Sequence, residues 1–170
     1  MAEFKREARI VSLDKSTLLV KEGQYADKLY FIIKGCARVF YIKEDRDITD
    51  WFAFENDFLV SDNSFFQSAP SLHYIELIEP TTLLEISRDD VLKISNKHHD
   101  FYKLGGTIIT KIMLQLKNRI ASIQFESAQQ KFENLISMRK DIIQRVPLTH
   151  IASYLGITLE TLSRVRHPKK

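Results

Sequence analysis

The chain has one cysteine, Cys36, in 170 residues. A single thiol excludes an internal disulfide and any metal or iron–sulfur site built from several cysteines. Long apolar runs are also missing: none reaches the roughly 18 residues needed to span a bilayer. Glu3, Lys5, Arg6 and Glu7 interrupt any apolar core that a signal peptide would need. Both absences point to a cytoplasmic protein with no membrane partner. The sequence holds no Gly-x-Ser-x-Gly, no phosphate loop and no Cys/His pairing of nucleophilic type, which argues against an enzyme. Histidine is scarce as well. Only His73 falls in the strand-like region, and the adjacent His98 and His99 cannot share one helical face, so no metal site is expected.

What is present is the material of a globular core, 44% hydrophobic and 11% aromatic residues. The length suits one ordinary domain or two small ones. A net charge of +3 decides little, but its distribution says more. From Lys140 onward the basic residues are Lys140, Arg145, Arg164, Arg166, Lys169 and Lys170, against only Asp141 and Glu160. A basic end suits a surface that faces phosphates.

The first half reads as short strands separated by charged or Gly-containing turns: Arg9–Leu13, Leu18–Val20, Leu29–Ile33, Ala37–Ile42, Ile48–Phe54, Tyr74–Ile78 and Leu83–Ser87. Lys34-Gly35 reads as the turn of a hairpin, and residues 63–67 as a short helix. Such spacing predicts an antiparallel roll. The period then changes to helical. A short helix is expected from Ser87 or Arg88 through Lys93, and a long one from about Asp100 to about Gln124. Leu104, Ile108, Ile112, Leu116, Ile120 and Ile123 form an apolar seam along the long helix, close to coiled-coil spacing, and predict self-association. Ser127-Ala128-Gln129-Gln130 has the form of a capping box opening a further helix. That gives an α+β chain in three parts: a roll over 1–98, a pairing helix over 99–125, and a C-terminal portion over 126–170.

The end of the chain is the most specific. Ile151, Ala152 and Leu155 share one helical face, Gly156 can stop the helix with a positive φ, and Thr158 can cap the next helix. That next helix carries Leu162 and Val165 inward and Glu160, Ser163 and Arg164 outward. This is the pattern of a DNA-reading helix-turn-helix. Arg164 suits guanine, Glu160 can accept from cytosine, and Ser163 can touch a base edge. Thr149, Arg166 and Lys169 suit phosphates. An i,i+4 pair between Glu160 and Arg164 would hold Arg164 ready for the groove.

Roll, long helix and helix-turn-helix in this order resemble the cyclic-AMP receptor protein and fumarate–nitrate regulator (Crp/Fnr) family over nearly the whole chain. Glu22-Gly23, Leu29–Ile33 and Lys34-Gly35 look like the family's first strands. Residues 151–158 are similar to its Bacteroidetes-type branch, and Glu160-Thr161-Leu162-Ser163-Arg164 has the Glu-x-x-Ser-Arg form of the fumarate–nitrate subgroup. The resemblance implies a cyclic-nucleotide-binding-like jelly roll, a dimerisation helix and a winged-helix-like reader. It also implies a homodimer on a pseudo-palindromic double-stranded operator, with RNA polymerase as a further partner. The sequence departs from the family in starting its first strand almost at once, so that the usual N-terminal helix is absent or very short, and in lacking final wing strands.

No cofactor is identified, and the effector is open. The family's cyclic-nucleotide site uses a Gly-Glu pair and a downstream Arg. The corresponding Phe54–Phe58 and Ser71–Tyr74 offer neither, while Glu55, Asp57 and Asp62 would repel a phosphate. This argues against cyclic AMP. The clustered aromatics are expected first as plain core of the roll; the competing expectation is an apolar effector pocket lined by Trp51, Phe54, Phe58, Phe65, Phe66, His73 and Tyr74. The alternative to a regulator is a ligand-binding or scaffold module whose DNA-binding portion is degenerate.

Overall fold

The computed structural model describes residues 7–167. The chain divides after Tyr102 into two compact units. The N-terminal unit contains two four-stranded antiparallel sheets. One is ordered β1-β8-β3-β6, from Arg9–Leu13, Thr81–Ser87, Lys28–Lys34 and Phe58–Leu59. The other is ordered β2-β7-β4-β5, from Leu18–Val20, Tyr74–Leu77, Ala37–Lys43 and Arg46–Ala53. A strand presents alternate residues to opposite faces, so Ala37, Val39, Ile75 and Leu77 point into one core with Val20, Tyr30, Ile32, Ala53, Leu59 and Leu83, and Trp51 packs against its edge. The expected roll is therefore formed, and the expected strands are present with ends shifted by one or two residues.

The Lys34-Gly35 hairpin is not formed. β3 and β4 belong to different sheets, and the chain crosses between them at Gly35. Gly35 has φ +118°, and a Cβ there would run into the side chain and backbone of Thr81, so only glycine allows the crossing. The real hairpin follows β4. It pairs Ile42 with Asp47 and Lys43 with Arg46, with Glu44 and Asp45 both at positive φ, as a tight two-residue turn requires.

Helix α1 (Asp62–Gln67) lies between β6 and β7. Helix α2 (Arg88–Lys97) outruns its expected end at Lys93. Its N-cap Ser87 accepts from Asp90 N and donates to the Asp90 carboxylate, which that hydrogen bond, followed by one from Lys93, holds below the usual carboxylate range. Helix α3 runs from His99 to Phe125 and has no buried residue. The predicted capping box then opens α4 (Ala128–Met138): Ser127 accepts from Gln130 N while the Gln130 side chain accepts from Ser127 N.

Three short helices follow among the described residues: α5 (Ile142–Arg145), α6 (Leu148–Leu155) and α7 (Leu159–Arg166). α7 packs against α4 and α6. Leu135, Ile142, Val146, Ile151, Ala152, Leu155 and Leu162 are buried between these helices. The expectations about an N-terminal helix ahead of the roll and about Lys169 fall on residues outside the described 7–167.

Candidate nucleic-acid interface

The turn between α6 and α7 is built as the sequence anticipates. Gly156 adopts φ 67°, donates to Ser153 O, and is followed by Ile157 N donating to Ala152 O. That pair of bonds is a Schellman ending, which satisfies the last carbonyls of α6 and turns the chain sharply. Thr158 then caps α7, its Oγ1 accepting from Thr161 N at 3.1 Å. Leu162 is fully buried and Val165 half-buried, so the opposite face is left to Glu160, Ser163 and Arg164, all exposed. These three side chains sit at i, i+3 and i+4 and therefore share one face of the helix.

Arg164 is not paired with Glu160. Its Nη2 donates to Thr161 Oγ1 at 3.2 Å, so the cap at Thr158, itself 3.0 Å from Thr161 Oγ1, also steadies the Arg164 fork. Thr149 is exposed in the first turn of α6, and Arg166 is half-buried at the end of α7. Arg145, counted with the basic end in the sequence, is committed elsewhere. It bonds Asp141 at 2.8 Å and holds that carboxyl below its usual range, so it adds little free positive charge to the surface.

Along α3, a surface groove is lined by Ile109, Ile112, Met113, Leu116, Lys117 and Ile120. Ile112, Leu116 and Ile120 belong to the expected seam; Leu104 and Ile108 do not line it. The reason is geometric. Each four-residue step advances a side chain about 40° beyond a full turn, so Leu104 and Ile120 lie about 160° apart around the helix. Ile109 and Met113 restore a straight stripe, with Ile123 continuing it, and these side chains are 38–58% exposed.

Several of the aromatic residues pack against ring neighbours within the roll. Phe58 packs on Phe31 of the first sheet, Tyr74 stacks on Phe40 of the second, Phe54 leans on Phe52, and Phe65 meets Phe66 edge-on. Trp51 faces the apolar core. Phe66 is exposed, and His73 Nδ1 lies 3.7 Å from Asp62. The acids also have structural duties. Glu55 accepts from Gly35 N, and Asp57 accepts from Phe54 N, each stabilising a turn.

The sequence missed Arg38. It is 5% exposed and reaches Asp47, Glu76 and Thr49, with its guanidinium 3.9 Å over the Phe40 ring. The alternation of β4 places Arg38 and Phe40 on the face opposite the core. Acids on the neighbouring strands were the one available signal.

A two-sheet roll joined to a helical unit that ends in a helix–turn–helix pair defines the class of protein. Residues 10–98 match the model of the cyclic nucleotide-binding domain, and the chain belongs to that family. No curated protein sequence matches it. Among solved structures it is similar to FixK2 from Bradyrhizobium japonicum, at 16% identity over 94% of this chain and 82% of that one, with a TM-score of 0.80. A protein of Eubacterium rectale assigned to the crp/fnr family of transcriptional regulators is 17% identical over 96% of this chain and 79% of that one, with a TM-score of 0.75. CooA from Carboxydothermus hydrogenoformans is 19% identical over 95% of this chain and 75% of that one, with a TM-score of 0.73. The chain thus has the fold of these regulators. None of the described helices is long and apolar enough to cross a membrane.

The family implies a cyclic nucleotide, and the residues between β6 and β7 do not fit its phosphate. Residues 60–73 contain no Lys or Arg of their own, and Arg88, which reaches the segment from α2, donates to Ser68 Oγ at 2.6 Å. The orphaned buried polar atom there, Ser61 Oγ, offers a neutral hydroxyl and no charge, while Asp62 is exposed beside it. Arg38 is held by Asp47 and Glu76.

Proposed function

We propose that the protein is a dimeric, sequence-specific DNA-binding transcription regulator whose roll responds to something other than cyclic AMP. The observation that carries this reading is the α6–α7 pair. A Schellman turn and a threonine cap fix two short helices so that Leu162 is buried while Glu160, Ser163 and Arg164 face outward together. In a major groove, Arg164 donates to guanine O6 and N7, Glu160 accepts from cytosine N4, and Ser163 touches a neighbouring base edge. Thr149 and Arg166 contact phosphates, which fix register. The exposed stripe of α3 pairs two copies, which places two reading heads on half-sites about one DNA turn apart. RNA polymerase is the downstream partner of such a regulator.

Selection of bound duplexes from a random pool, followed by titration at two salt concentrations, tests this. A regulator recovers a two-fold symmetric motif and shows steep salt dependence. Arg164→Ala is expected to cost about 1–3 kcal/mol on the selected site and relax one base preference. Equal weakening on selected and random duplex would refute the base-reading role.

A further inference from the structure

The junction between α3 and the reading helices, residues 125–127, invites description as a hinge. The contacts around it describe a clamp. Arg119, on α3, donates through Nη2 to the carbonyl oxygen of Tyr154 and lays its guanidinium 3.8 Å over the Tyr154 ring. Tyr154 stands in the last turn of α6, where carbonyls lack helical partners and a positive charge is favourable. A side chain of the pairing helix thus holds the end of the first reading helix, directly before the Gly156 turn.

Two further ties cross the junction. Glu126 accepts from Ser122 on α3 at 2.6 Å and from Asn134 on α4 at 2.8 Å. Lys131 on α4 donates to Ile123 O at 3.4 Å. Arg119 Nε is buried without a partner.

From these contacts we infer that Arg119 is a positioning residue that locks α6 and α7 to the C-terminal half of α3, so that the reader turns with the long helix as one body. The inference rests on the proposed DNA-reading role only for its consequence on DNA. Its mechanical content is tested without DNA. In a Cys36→Ala background, spin labels are placed at Asn118→Cys on α3 and Ser163→Cys on α7 of the full chain. The labelled protein is diluted with unlabelled chain so that distances within one molecule are read. The wild-type clamp gives one narrow distance distribution. Arg119→Leu broadens it, Arg119→Lys restores part of the order because it keeps the donor but loses the planar fork, and Tyr154→Phe leaves it narrow because the ring and carbonyl remain. An unchanged distribution in Arg119→Leu overturns the inference. Should that variant lose its helical circular dichroism, Tyr154→Leu takes its place: it removes the ring under the guanidinium and broadens the distribution, and a narrow one overturns the inference.

On DNA, using unlabelled protein without the cysteine substitutions, wild type prefers one half-site separation. Arg119→Leu loses that preference while keeping its affinity for a single half-site, an outcome that general destabilisation does not produce. Absence of specific DNA binding by wild type refutes the proposed function, and the distance measurement still decides the clamp.

Discussion

Replacing Leu116 by aspartate tests the proposed pairing of two copies through the stripe on α3. Leu116 is 45% exposed and lies mid-stripe, between Ile112 and Met113 on one side and Ile120 on the other. Fully burying a leucine is worth about 1.5–3 kcal/mol, so the half still exposed carries about 1 kcal/mol per copy. A symmetric pair loses two such contacts and gains two carboxylates in an apolar seam, each costing at least as much again unless paired. The total is about 4 kcal/mol, nearly a thousandfold in dissociation constant. Sedimentation equilibrium over a wide concentration range reads this directly. Leu104→Asp is the matched control: Leu104 is 49% exposed, carries the same chemistry, and lies about 120° around the helix from Leu116. The reasoning fails if both variants weaken association equally, or if Leu116→Asp leaves it unchanged.

Two stability predictions concern the roll. Gly35→Ala brings a Cβ within 2.8 Å of the Thr81 backbone at a φ of +118°, and both faults act together. Denaturant unfolding should show a loss of several kcal/mol, on the order of the largest single-residue effects, and a loss under about 1 kcal/mol would mean that the crossing relaxes easily around a methyl group. Tyr30 is 5% exposed, and burial, with Glu85 and then Asp27 adding repulsion, pushes its hydroxyl up to about 12. Its folded value lies above its unfolded one. The associated stability is therefore complete below pH 10 and is lost as pH rises toward 12. Tyr30→Phe should flatten that alkaline loss, and an identical pH profile for wild type and variant would count against it.

Local signals wrote the C-terminal unit almost completely. Ser127 and Gln130, Gly156 and Thr158 each specify a cap or turn through bonds to residues at most five positions away, and these all formed. The strands of the roll were legible for the same reason. Their partnership was not. A glycine between two apolar strands signals a hairpin turn and a sheet-to-sheet crossing equally well, and only the approach of Thr81, distant in sequence, distinguishes them. The hairpin at Glu44-Asp45 went unread because neither residue is glycine or asparagine, the usual carriers of positive φ. Aromatic composition alone did not say which face each ring takes; strand alternation sends Tyr74 and Trp51 to opposite faces of one sheet. Periodicity located the long helix correctly. The four-residue spacing at its start, however, drifted off the stripe that the groove follows.

The bareness of α3 has a consequence for abundance. A helix of 27 residues that buries none of them, and that contains Gly105 and Gly106 at about 1 kcal/mol each relative to alanine, takes little of its order from apolar burial within its own chain, least of all ahead of the Arg119 clamp. Whatever covers it stabilises it by mass action, so its order rises with the amount of covering surface present. If that surface is a second copy, the quantity of protein becomes a variable in its own right. Under the proposed function, dilution then loosens the helix and separates the two proposed reading heads, accumulation does the reverse, and occupancy of a two-fold site climbs more steeply than in proportion to chain number.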